Sequence, residues 1–239
     1  MRTTERDVLL VLLAVASGSA DGWSYLGLGH AFVANMTGNT VLTGLAVFEP
    51  RGELVHPILA LCLYAVGAVA GSAFARKVHQ GVVWARAITL VLLLEALILL
   101  AAEAGWIAIR RSSPGNSPLP IEILLGCVAF AVGLQSGAML QLKIPGIVTT
   151  YITGTWTTLM SGLAHFIAEE KSETPRERLR FEERLLMQAS ILSAYLLSAV
   201  LTGWLFFHHP LVVGAIPASS VSIVVVYAVL RTDIVARPK

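Results

Sequence analysis

Six long apolar runs punctuate the chain, at about 8–29, 56–75, 87–109, 119–142, 185–207 and 210–230. At about 1.5 Å of rise per residue, roughly 20 helical residues cover the hydrocarbon core of a bilayer, so each run predicts a spanning helix. Two weaker runs, 32–48 and 146–168, follow the first and the fourth and are studded with polar side chains. In the first of them Asn35, Asn39 and Thr43 recur at i, i+4, i+8, and Thr37, Thr40 and Gly44 at i, i+3, i+7. A helix here carries a wide polar and small-residue side. Lipid offers that side no hydrogen-bond partner, so it must look into protein or into a wet cavity. The pattern predicts an all-α polytopic integral membrane protein with six spanning helices plus two polar, broken or re-entrant segments. If both segments cross, the spans number eight.

Composition agrees. Hydrophobic residues make up 56% of the chain and charged ones 13%, with a mean hydropathy of +0.74. A soluble domain carries about 25% charged residues. The connections Arg110–Leu119 and Glu169–Arg184 are too short for a soluble domain, so residues 1–239 read as a single membrane domain. The N-terminal run continues past Asp21 and reads as a retained first helix rather than a cleaved signal. A net charge of +2, with no basic run interleaved with aromatics, gives no support for nucleic-acid binding. Cys62 and Cys127 lie inside apolar runs and read as ordinary buried cysteines. Trp23, Trp84, Trp106 and Trp204 fall near run ends, as membrane-interface aromatics do.

The two halves, about 8–109 and 119–230, echo one another. A shift of 115 carries Gly18 and Gly22 onto Gly133 and Gly137, and a shift of 116 carries Thr37-Gly38 onto Thr153-Gly154. These paired steps, in the same order, point to an internal duplication. Three crossings per half make the repeats inverted, a common transporter plan, and four make them parallel. With the N-terminus inside and six crossings, only Arg51, Arg110 and Arg111 among the basic residues fall outside. Either crossing number puts both termini in the cytoplasm.

Asp21, inside the first run, is a functional-site candidate because an intramembrane carboxylate is costly. The bland alternative is that the helix unwinds around Ser17–Gly22 and Asp21 caps the broken end. Glu95, among leucines in the third run, carries either proton coupling or a hydrogen bond to a neighbouring helix. Asn35, Thr37 and Asn39 in the first half, with Gln135, Thr153 and Thr155 in the second, complete a candidate substrate site. The row Thr150, Thr153, Thr157, Ser161 serves either a ligand or helix–helix hydrogen bonds. Gly67-x-x-x-Gly71 and Ser190, Ala194, Ser198 read as close-packing stripes. The histidines show no metal spacing, no nucleophile–base pair is visible, and no cofactor is called for.

The stretch Gly18-x-x-Asp21, followed by Phe32-Val-Ala-Asn-Met-Thr-Gly-Asn-Thr40, resembles the signature of the YoaK-like bacterial membrane proteins, a family catalogued as a domain of unknown function. The resemblance extends over essentially the whole chain. It implies a bacterial inner-membrane protein of about six spans, and it lends no catalytic residues. From the polar repeats we expect a small secondary transporter or permease for a small polar or anionic solute, and not an enzyme. The alternative is a membrane interaction or regulatory protein that docks through the charged Glu169–Arg184 segment. The expected partners are the bilayer and a small solute, with homo-oligomerisation left open.

Overall fold

The computed structural model describes residues 3–48, 53–76, 84–112, 120–142, 152–167 and 175–235. Eight α-helices lie in this part of the chain: α1 (Thr3–Gly27), α2 (Met36–Ala46), α3 (Val55–Ala75), α4 (Arg86–Arg111), α5 (Ile121–Leu140), α6 (Ile152–Ile167), α7 (Pro175–His208) and α8 (Ala215–Val235). A single 3-10 turn, Pro210–Val212, precedes α8. Six stretches are long and apolar enough to cross a membrane, one on each helix other than α2 and α6. Among the described residues this membrane protein is all-helical, with six candidate spans and two short polar helices.

Three local expectations are corrected. Helix α1 does not unwind at Ser17–Gly22 but runs unbroken to Gly27. Its serines return their hydroxyls to the helix's own carbonyls, Ser17 to Leu13 O and Ser19 to Val15 O, and so need no break. The polar run 32–48 is helical only from Met36 to Ala46. The charged connection before the fifth span is helical from Pro175. Proline is tolerated in a first turn, and Arg178 reaches Glu182 at i,i+4 with a 3.2 Å ion pair.

Packing repeats with a step of four helices. Helix α3 lies along α5 and α1 along α7; α4 packs on α5 and α1 on α8; α2 rests on α3 and α6 on α7. Advancing every label by four, with α5–α8 returning to α1–α4, exchanges the members of each of these couples. The α3–α5 contact is backbone against backbone. A Cβ on Gly67 or Gly71 would strike the main-chain carbonyl of Phe130 or Leu134, and one on Gly133 or Gly137 that of Tyr64 or Ala68. Between membrane helices such small residues bring backbones close enough for dispersion to act, where water offers no hydrophobic drive. In the α1–α7 contact only α1 supplies glycine: Gly18 meets Tyr195 and Ser198, and Gly22 meets Thr202.

Leu9, Leu13, Ile88, Leu92, Leu99 and Leu125 fill the interior, while Val66, Phe74, Leu97, Leu197 and Phe207 face outward to hydrocarbon. Trp23 and Trp106 are buried rather than interfacial. They meet edge to face with centroids 6.2 Å apart, and the Trp106 indole donates to Pro210 O at 2.7 Å. Cys62 is exposed on the lipid side of α3 and Cys127 half-buried, so neither is a core cysteine.

Candidate functional site: a mid-membrane cavity between two short helices

After α1 the backbone reverses at Gly29 and His30, both at positive φ (102° and 55°). Glycine suits the first because a Cβ there would strike the His56 ring. The chain then descends beside α1 to Asp21, six residues or about 9 Å below the helix end. Asp21 Oδ1 accepts the amides of Val33 and Ala34 at 2.7 Å each and of Asn35 at 3.4 Å. Its Oδ2 accepts the hydroxyl of Tyr195 on α7. Asn39 closes the same loop, taking Phe32 N at 2.8 Å and giving its amide to Phe32 O at 2.6 Å. Asn35 caps α2 through Gly38 N at 3.0 Å. Helix α2 therefore starts within the thickness of the membrane, with the Gly38 amide of its first turn taken by Asn35.

Helix α6 is placed the same way. It runs antiparallel to α7: Gly162 lies beside Leu185 and Phe181, and Thr158 Oγ1 accepts Gln188 Nε2 at 3.0 Å. Its start reaches Thr153, which shares a cavity with Tyr195 at the middle of the span Phe181–His208. Helix α6 thus covers half the membrane and ends level with the beginning of α7.

The two starts meet in a cavity of about 230 Å³ lined by Ala34, Asn35, Met36, Thr37, Tyr64, Ile152, Thr153 and Tyr195. Tyr64 stands at the middle of the span Val55–Ala75, so both tyrosines place the cavity near mid-membrane. Among the described residues, no lysine, arginine or carboxylate is in the lining. Polar recognition there comes from hydroxyls, one side-chain amide and two helix N-termini, each carrying about half a positive charge.

Of the expected site residues, Asn35, Thr37 and Thr153 line the cavity. Asp21 and Asn39, 4% and 0% exposed, stand behind its wall and fasten it. Gln135 lies away from it, donating to Ser17 Oγ at 3.1 Å across α1 and α5. Thr155 is buried outside the lining, and Thr157 is exposed, donating to Thr153 O. Thr150 falls outside the described residues. Glu95 is fully buried on α4, with no hydrogen-bond partner to either oxygen among the described residues. Those residues contain no cluster able to hold a metal ion.

The tyrosines escaped notice in the sequence. Their signal is a third echo: Tyr64-Ala-Val-Gly67-Ala-Val-Ala-Gly71 and Tyr195-Leu-Leu-Ser198-Ala-Val-Leu-Thr202 share Tyr-x-x-small-Ala-Val. Gly133 packs on Tyr64 O just as Gly18 packs on Tyr195 O, so the two occupy equivalent places. Glu103 was also missed; its carboxylate takes the amides of Gly214 and Ala215 and caps α8.

Comparison with known proteins supports the same framework. No solved structure matches the chain. The UPF0700 transmembrane protein YoaK of Bacillus subtilis (strain 168) is 33% identical over 171 residues, which are 70% of this chain and 72% of that protein. A family model described as "Protein of unknown function (DUF1275)" matches residues 9–229, nearly the entire sequence. The chain belongs to the DUF1275 family of YoaK-like transmembrane proteins.

Proposed function

We propose that this protein is a small secondary transporter or permease for a small polar or anionic solute. The observation that carries the reading is the cavity near mid-membrane, walled by the starts of α2 and α6 and by one tyrosine from each half. A binding site halfway between two half-helices is the place from which a solute is passed across by rearranging either side. The volume of about 230 Å³ is below the 300–1,000 Å³ usual for drug-sized ligands, which suits a solute of a few heavy atoms. Helix N-termini and hydroxyls favour an anionic group.

In this reading the halves 8–109 and 119–230 are inverted repeats of three crossings each. The protein sits in the bacterial inner membrane with both termini in the cytoplasm, because the basic residues then collect on that side. Glu95, buried without a partner among the described residues, is the residue we assign to proton coupling. The test is flux into proteoliposomes with a panel of monovalent inorganic anions, small carboxylates and zwitterions. Saturable uptake of one of them, lost in Thr37→Trp and Thr153→Trp, supports the proposal. Vesicles inert to the whole panel, with and without a proton gradient, contradict it.

A further inference from the structure

Helices α3 and α4 both pack on α5 but meet each other far less. Between them α5 is left open along a groove of about 490 Å³. Leu59 and Leu63 of α3, Ile98 of α4, and Ile123 and Phe130 of α5 wall it, and Gly126 puts no side chain into it. From Glu122 to Phe130 the groove follows α5 for about 12 Å. Half of a hydrocarbon core is about 15 Å, so a groove that begins in the first turn of a spanning helix stays within one leaflet.

The apolar walls end in a charge. Glu122 is the one charged residue among the described residues of the lining, and its side chain is 48% exposed. Its Oε1 lies 3.5 Å from His56 Nε2, and Glu53 Oε2 lies 2.8 Å from Nδ1 of the same ring. One imidazole carries at most one positive charge against two ionised carboxylates, so the mouth keeps a surplus negative charge whatever the state of His56. Arg110 and Arg111, exposed at the end of α4, bring positive charge to the same membrane face, because α4 ends where α5 begins.

A groove open to hydrocarbon is filled by an acyl chain, which recovers the dispersion contacts that an empty space forfeits. The carboxylate at the mouth selects among the chains by their heads. A primary ammonium donates charge-assisted hydrogen bonds to it, whereas an anionic head without an amine is repelled.

We propose that this groove binds an amine-headed phospholipid of the phosphatidylethanolamine class. One acyl chain lies between α3 and α4 over Gly126, the ammonium pairs with Glu122, and the phosphate turns toward the arginine-bearing end of α4. Among the described residues the groove shares no lining with the mid-membrane cavity, so the inference stands apart from the transport reading.

The experiment is photo-cross-linking in phosphatidylcholine vesicles holding a small fraction of either phosphatidylethanolamine or phosphatidylglycerol, each with the same diazirine-bearing acyl chain. Adducts are mapped by residue. Those of phosphatidylethanolamine should gather on Leu59, Leu63 and Ile123–Phe130, above the level on Leu197 and Leu201 of the exposed α7 face. They should exceed those of phosphatidylglycerol in the groove by about threefold or more, the measure of one partly exposed ion pair. Glu122→Gln should bring the two lipids level. Cys127→Phe, at a half-buried lining position, should fill the groove and lower the adducts of both lipids there while leaving those on α7 unchanged. Adducts no denser in the groove than on α7, or undiminished in Cys127→Phe, overturn the site. Equal adducts from the two lipids in the parent protein, or a preference that survives in a folded Glu122→Gln, overturn the head-group assignment.

Discussion

Adding one methyl group at Gly137 sets two effects against each other. Alanine is the better helix former by about 1 kcal/mol, so on propensity alone Gly137→Ala stabilises α5. The added Cβ would strike Ala68 O and stand 2.8 Å from Ala68 C and from Ser72 N, all main-chain atoms of α3. Ordinary carbon contacts begin near 3.5 Å, so the helices must part by about half an ångström or more, which forfeits roughly a quarter of each dispersion well along the seam. The hydrogen bond from Ser72 Oγ to Gly137 O, 3.1 Å long, stretches with it and loses about 0.6 kcal/mol. Overpacking of this kind costs about 1–3 kcal/mol, so packing wins and the variant is less stable by about 1–2 kcal/mol. Gly137→Leu loses more. Gly44 supplies the control, since no described atom lies within 4 Å of a Cβ built there and Gly44→Ala should be neutral or stabilising. The assay is detergent-titrated unfolding of the purified protein at constant lipid. Gly137→Ala as stable as Gly44→Ala would refute the close seam between α3 and α5.

Three further outcomes follow from the same contacts. Gly18→Leu should destabilise comparably to Gly137→Leu, read by thermal unfolding in detergent, because a side chain there meets Tyr195 and Ser198. Asp21→Ala strands three backbone amides and a tyrosine hydroxyl and should cost about 2–4 kcal/mol in the same assay, with Asp21→Asn costing less. Reporter fusions after residue 239 should read cytoplasmic and fusions after residue 112 periplasmic; the reverse would contradict the orientation drawn from the basic residues.

The spans were legible because their signal is length and apolarity, which packing cannot override inside a bilayer. The half-helices were legible for the complementary reason: Asn35, Thr37 and Asn39, and Thr153 to Ser161, are too polar for lipid. The detail within them was not. Asp21 bonds amides 12 to 14 residues onward and a hydroxyl 174 residues away, and no spacing rule links such partners. Asn39 read as a ligand because its polarity is visible in the sequence, whereas its spent hydrogen bonds are visible only in the fold. Tyr64 and Tyr195 were overlooked because a tyrosine in an apolar span reads as core or interface. The helical extension of α7 was missed because its charges suggested a solvated loop, although Arg, Glu and Leu are all good helix formers.

The most direct test of the central claim is the separation of Thr37 and Thr153, one from each short helix and each at the wall of the same cavity. A roughly spherical space of about 230 Å³ is about 8 Å across, within reach of a short bifunctional thiol reagent. In the Cys62→Ser/Cys127→Ser background, the double variant Thr37→Cys/Thr153→Cys should be bridged within one chain by a reagent of that span, and pulsed spin-label distances should be correspondingly short. Cross-linking no greater than for a Val41→Cys/Trp156→Cys control pair, with label separations well beyond the cavity width, would contradict a single mid-membrane site built by both short helices.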